Sequence, residues 1–172
     1  DINNVLPAQE ALVEELEEHT WIIFDLDGTL ADIHIRRDAS TKSDGKINWD
    51  VFFDPANIHL DIPKSTVIKT AQGLVKAGYK IAIFSGRSKK TKTVTREWLD
   101  KYKVPYNILK MRPTSKEWMY MPDDKLKQYW LEDLFPGKAK NKILCVFDDR
   151  DKVVKMWRDN GITCMQVAEG NF

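Results

Sequence analysis

The chain of 172 residues reads as an α/β protein, a five-stranded parallel sheet covered on both faces by helices. Three observations predict this. Short apolar runs rich in β-branched and aromatic residues recur at 21–26, 79–84, 106–111, 142–147 and 162–167. Between them lie segments with helical apolar spacing, most of them closed by Gly or Pro. Three of the strand-like runs end on polar or charged residues, at the edge where open α/β sheets bind ligands.

With 42% hydrophobic residues and a formal net charge of +1, the chain is expected to form one soluble globular domain over 1–172. No window approaches the apolar length of a membrane span and no secretory signal is visible, so the expected location is the cytoplasm. The chain opens on Asp1 rather than Met, so its true start is expected upstream. Cys145 and Cys164 each sit in an apolar run, which suits buried thiols rather than a disulfide or a metal site. Charge is laid out unevenly. Residues 1–20 carry acids but no Lys or Arg. Residues 87–103 concentrate Arg87, Lys89, Lys90, Lys92, Arg96, Lys101 and Lys103 against Glu97 and Asp100. Such a stretch is usually a solvated helix face; it also suits a short nucleic-acid end.

Taken in order, residues 7–19 predict an amphipathic acidic helix, with Leu12, Val13 and Leu16 opposite Glu14, Glu15, Glu17 and Glu18. Trp21-Ile22-Ile23-Phe24 suits a strand buried on both faces, running into Asp25-Leu26-Asp27-Gly28-Thr29. Residues 31–63 are polar with weak periodicity. They predict an insertion, a loop with a short helix lying over the strand ends, onto which Phe52 and Phe53 pack. Beyond Pro63, helices are expected at 65–76, 91–102, 123–135 and 151–160, alternating with the remaining strands. Gly78, Pro136-Gly137 and Gly161 mark three of their ends.

Asp25/Asp27, Ser85-Gly86-Arg87 and Asp148-Asp149 each close a strand, so a parallel sheet brings all three to one edge. Singly, each has a structural explanation: an Asp-Gly turn, a helix cap, acids at a helix N-terminus. Together they predict a metal–phosphate site. Carboxylates from Asp25 and the Asp148/Asp149 pair, with a backbone carbonyl, suit Mg²⁺, and the absence of a His or Cys cluster argues against zinc. A carboxylate beside the ion can attack phosphorus to form an aspartyl-phosphate, and Asp27, two residues on, can serve as acid and base. Ser85 and Lys127 would hold the phosphate oxygens. Gly73 and Gly78 have Walker-like spacing, but Tyr79-Lys80 follows where Lys-Ser/Thr is required, so no kinase motif is present.

Asp25-Leu26-Asp27-Gly28-Thr29, Ser85, Lys127 and Asp148-Asp149, in that order, resemble the four motifs of the haloacid dehalogenase superfamily of phosphohydrolases. The resemblance covers nearly everything from Trp21 onward. It implies a Rossmann-like three-layer sandwich with residues 31–63 as a small cap. Ser85-Gly86-Arg87, the Asp123-to-Lys127 spacing, Phe147-Asp148-Asp149-Arg150 and the tail from Val153 to Phe172 are similar to the 3′-phosphatase domain of bacteriophage polynucleotide kinase/phosphatase. That likeness implies Asp25 as nucleophile and Asp27 as acid/base, with Ser85 and Lys127 in the catalytic set. It implies Thr29, Arg36, Arg87, Arg112 and Asp123 as substrate-binding residues and Asp25, Asp27, Asp148 and Asp149 as the Mg²⁺ set. Arg37 is an alternative to Arg36. The implied substrates are 3′-phosphorylated DNA or RNA ends or nucleoside 3′-phosphates, in the cytoplasm of a phage-infected cell. This sequence shows no kinase motif ahead of the phosphatase motifs, so either a stand-alone phosphatase or one whose kinase is a removed domain or a partner is expected.

Two rival functions accompany this one. A 5′(3′)-deoxyribonucleotidase or other small-molecule phosphatase shares the Asp-Asp-Arg ending, and the cap would decide between them. A catalytically idle binding module would not need Asp25, Asp27, Ser85, Lys127 and Asp148/Asp149 all intact. Trp49 and Trp118 are candidates to stack on a base or simply to pack.

Overall fold

The computed structural model describes residues 18–172, so the helix expected over 7–19 lies almost wholly outside the described residues. Five parallel strands form the main sheet: β1 (Trp21–Phe24), β4 (Lys80–Ser88), β5 (Ile108–Arg112), β6 (Ile143–Asp148) and β7 (Cys164–Gln166). Their spatial order is β5-β4-β1-β6-β7. The chain therefore starts in the middle of the sheet, builds outward through β4 and β5, then returns to the other side of β1. That reversal places the end of β1 at the topological switch point.

Period-2 alternation divides the strand side chains between two cores. Ile22, Phe24, Ile81, Ile83 and Cys145 face one side, where α3 (Ser65–Lys76) and α4 (Lys92–Lys101) contribute Ile68, Ala71, Trp98 and Leu99. Ile23, Ala82, Phe84, Ile143 and Val146 face the other, against Leu126, Trp130 and Leu131 of α6 (Asp123–Leu134) and Val153, Val154 and Trp157 of α8 (Asp151–Asp159). This is the expected three-layer arrangement. Both cysteines are free and buried, and burial pushes their thiols up to about 11 at Cys145 and about 12 at Cys164. Among the described residues, no helix is long and apolar enough to cross a membrane.

Two regions depart from expectation. β4 continues past Phe84 to Ser88, because Ser85 still pairs with Met111 and, after a bulge, Ser88 pairs with Arg112. The insertion holds more structure than a loop with one short helix. β2 (Ala31–Asp32) pairs antiparallel with β3 (Ile62–Pro63) and ties its two ends together. Between them come α1 (His34–Ser40), α2 (Trp49–Phe52) and a 3₁₀ turn at Pro55–Leu60. Ile33, Phe52 and Ile58 from this segment are buried in the α3/α4-side core. Phe52 thus packs as expected, Phe53 is half-buried against it, and Trp49 leans on both while 60% exposed. Two further short helices, α5 (Lys116–Met119) and α7 (Ala139–Lys142), precede α6 and β6.

Candidate active site

The turn after β1 is closed on one carbonyl: Leu26 O accepts from the amides of Thr29, Leu30 and Ala31. Gly28 at its apex has φ of +82°, and a Cβ there would lie 2.0 Å from Asp149 Oδ2. Only glycine fits this position on both counts. The buried Thr29 hydroxyl donates to Asp25 Oδ2 at 2.9 Å. Its proton is spent on orienting Asp25, so Thr29 supports the carboxylate that a substrate would meet.

Asp25, Asp148 and Asp149 converge at the ends of β1 and β6, all buried, each offering a carboxylate oxygen within 4.8 Å of the others. Burial above all, then the Asp148 charge, raise the Asp25 carboxyl well above its ordinary value; burial likewise raises Asp149. Lys127, on the first turns of α6, answers part of this charge. Its ammonium donates to Asp25 Oδ1 at 2.9 Å and to Asp148 Oδ2 at 3.1 Å. Burial works against that ammonium, but Asp148 and Asp25 outweigh it and hold it protonated. One cation against three buried carboxylates leaves an excess of negative charge, which a hard divalent ion fits. Asp148 is the most committed of the three. Its Oδ1 accepts the Asp149 amide at 2.9 Å and its Oδ2 also accepts Trp157 Nε1 at 3.2 Å.

The Asp27 carboxylate stands beside this cluster of three rather than in it. Arg87 Nε (2.8 Å) and Arg36 Nη2 (3.2 Å) both donate to its Oδ1, leaving Oδ2 without a partner among the described residues. Burial would raise the Asp27 carboxyl, but Arg87 and then Arg36 outweigh it and hold it below its ordinary value. The same guanidinium groups bind Asp61, from Arg36 Nε at 2.8 Å and Arg87 Nη2 at 2.6 Å. Arg36, Arg87 and Asp61 are fully buried side chains. Arg36 and Arg87 therefore stand behind Asp27, each bonded both to it and to Asp61. Arg37, the alternative, is exposed and lies 5.6 Å from the Phe172 ring.

Ser85, on β4 beside β1, is buried; its Oγ accepts the Arg87 amide at 3.2 Å and keeps its own proton to donate. Arg112 fastens the neighbouring loop by donating to the carbonyls of Gly86 (3.0 Å), Trp118 and Met121 (both 2.7 Å) and to Asp123 Oδ1. Asp123 also accepts from Arg150 at 3.2 Å and sits over Gly86, where a Cβ would come within 2.7 Å of its Oδ1. Trp118 packs edge-on against Tyr129 at 4.8 Å. The structure thus gathers Asp25, Asp27, Ser85, Lys127, Asp148 and Asp149 at one edge. Arg112 and Asp123 form a brace beside them.

Comparison with known proteins agrees with this geometry. Residues 19–172 match the family model of the polynucleotide kinase PNKP phosphatase domain. The chain belongs to that phosphatase-domain family. A protein of Autographa californica nuclear polyhedrosis virus named "Putative bifunctional polynucleotide kinase/RNA ligase" is 33% identical over 144 residues, 80% of this chain and 18% of its own length. A chain in the structure of the Pnkp1/Rnl/Hen1 RNA repair complex superposes with a TM-score of 0.70 at 29% identity, covering 91% of this chain and 44% of that one. This chain thus spans less than half of either relative. A haloacid dehalogenase-like hydrolase from Streptococcus pneumoniae shares the fold, with a TM-score of 0.56 at 14% identity over 87% of this chain and 85% of its own. The PNKP phosphatase-domain family is thus built here on a haloacid dehalogenase-type α/β fold.

Two participants escape sequence reasoning. Asp61 holds both buried arginines, yet its only signal is a lone acid between Leu60 and Ile62 just before Pro63. Trp157 reads as core, and it is; its indole N–H nevertheless fixes Asp148.

Proposed function

We propose that this PNKP-type phosphatase domain is Mg²⁺-dependent and removes the terminal 3′-phosphate of a nucleic-acid strand, leaving a 3′-hydroxyl. The observation that carries the chemistry is Asp25 at the switch point, held by Thr29 and Lys127 within a buried carboxylate cluster. Asp25, Asp148 and Asp149 would hold the ion. When bound it supplies charge neutralisation for the phosphate and the carboxylates.

Asp25 attacks phosphorus, the bond to the 3′-oxygen breaks, and the phosphoryl group passes to the Asp25 carboxylate. Asp27 gives the departing oxygen a proton through Oδ2, the oxygen neither arginine holds. It is then the base that takes a proton from the water hydrolysing phosphoryl-Asp25, and that proton returns it to its starting form. Lys127 and the Ser85 hydroxyl donate to the equatorial oxygens as charge develops on them. Arg112 and Asp123 keep the end of β4 around Ser85 and Gly86 in place.

Family membership supports the choice of a nucleic-acid end, as does the relative in an RNA repair complex. A ligase or a polymerase, on the same polypeptide or on a partner, would use the 3′-hydroxyl product. The test compares phosphate release in Mg²⁺ from 3′-phosphorylated DNA and RNA oligonucleotides, their 5′-phosphorylated isomers, and nucleoside 3′- and 5′-monophosphates. Release from the 3′-phosphorylated substrates is expected. Turnover confined to 5′-mononucleotides would replace this function with a nucleotidase.

A further inference from the structure

Most cations near the catalytic edge are engaged: Arg36, Arg87, Arg112 and Lys127 all bind carboxylates. A second set is not. Lys89 and Lys92 lie on the turn and helix that leave β4, with Arg96 one helical turn further on, at spacings of three and four residues. Lys110 is on β5, the edge strand of the sheet, opposite Phe84 of β4. Among the described residues, none of these four makes an ion pair. Slight burial, then Arg96, Lys89 and Lys110, lower the Lys92 ammonium from its ordinary value, so the four side chains share one field. Like charges brought together without counter-ions destabilise a surface unless an anion fills it.

Position ties this cluster to the site. Lys89 is the first residue after β4, whose last turn carries Ser85 and Arg87 and is pinned to β5 through Ser88–Arg112 pairing and the Arg112–Gly86 bond. A strand whose 3′ end lies at Asp25 must lead its next phosphodiesters out over a neighbouring surface, and the cluster that leaves β4 is one such surface.

We propose that Lys89, Lys92, Arg96 and Lys110 form a track for the phosphodiester backbone of the single strand whose 3′ end enters the site. The proposal rests on the nucleic-acid 3′-phosphatase function, so its test separates binding from turnover. The triple variant Lys89→Ala/Lys92→Ala/Arg96→Ala removes three solvent-accessible charges and touches none of the catalytic set. Binding is read by fluorescence anisotropy with a labelled 3′-hydroxyl oligonucleotide over a series of salt concentrations, which needs no catalysis. The wild type should bind with a salt-dependent affinity, and the variant's slope of log K against log salt should be shallower by about 2, roughly 0.7 for each lost single-strand phosphate contact. On 3′-phosphorylated oligonucleotides the variant should show a raised KM with kcat retained, while its rate on a nucleoside 3′-monophosphate stays at the wild-type level. Equal oligonucleotide affinity and salt slope in wild type and variant would overturn the track. Failure of the wild type to hydrolyse any 3′-phosphate would instead strike the function beneath it.

Discussion

Asp61→Ala tests the buried charge network behind Asp27. In the wild type the Asp61 carboxylate accepts three guanidinium bonds, at 2.8 and 3.1 Å from Arg36 and 2.6 Å from Arg87. Burial pushes the Asp61 carboxyl up, yet both of its oxygens act as acceptors, which is the ionised arrangement. Two arginines and two aspartates balance. Without Asp61, two guanidinium groups share Asp27 alone and one positive charge is left buried without a partner. Breaking a buried ion pair from one side costs about 3–5 kcal/mol. For a domain of this size that is a fall in Tm of roughly 6–20 °C, at about 2–4 °C per kcal/mol. Thermal and urea unfolding of the purified variant measure it. Adding Arg36→Met should recover part of the loss, because the double variant no longer buries the stranded charge, and the two single losses should exceed the double by at least about 1 kcal/mol. A loss below about 1 kcal/mol in Asp61→Ala, or simple additivity, would refute the claim that Asp61 anchors the insertion to Asp27.

Mg²⁺ should stabilise the fold more at neutral than at acid pH. Asp25 and Asp149 have raised values in the fold, so the metal-free protein loses stability as pH rises through those values and the buried carboxylates become charged. The ion binds that charged form, and at about a hundredfold excess over Kd should add about 2.7 kcal/mol, or roughly 5–11 °C in Tm. An equal or larger Mg²⁺ shift at pH 4.5 than at pH 7.5 would count against the carboxylate cluster as its site. Asp27 predicts a split between substrates. The arginines lower its value, so the protonated form needed by a poor leaving group is depleted as pH rises. In saturating Mg²⁺, kcat/KM for a nucleoside 3′-phosphate should fall with rising pH, while p-nitrophenyl phosphate, whose leaving group needs no proton, should hold a plateau. Parallel profiles for the two would remove Asp27 from the acid role.

Much of this architecture is legible in residue order because its signals are local. α3 begins and ends at the residues its apolar spacing indicates, and α6 stops just before Phe135 and Pro136-Gly137. The strand ends carrying Asp25, Ser85 and Asp148 meet because parallel topology leaves them no other edge. What stays hidden depends on contacts far apart in the chain. Arg36 lies in a polar segment of weak periodicity with no local sign of burial, yet its side chain is wholly buried, neutralised by Asp27 and Asp61, 9 and 25 residues away. The β2–β3 pair is two residues long on each side, too short for alternation to register. Ser85 to Ser88 look like a loop, with Gly86 among them, and are held in the sheet by pairing to β5.

The central claim is that Asp25 carries the phosphoryl group taken from a 3′ end. A single-turnover reaction with an oligonucleotide radiolabelled in its 3′-phosphate, quenched in acid and digested, locates the label directly. Transient label on the peptide containing Asp25, absent in a folded Asp25→Asn variant that releases no phosphate, is the predicted result. Phosphate release by Asp25→Asn at the wild-type rate, or turnover with no label ever reaching the protein, would contradict it.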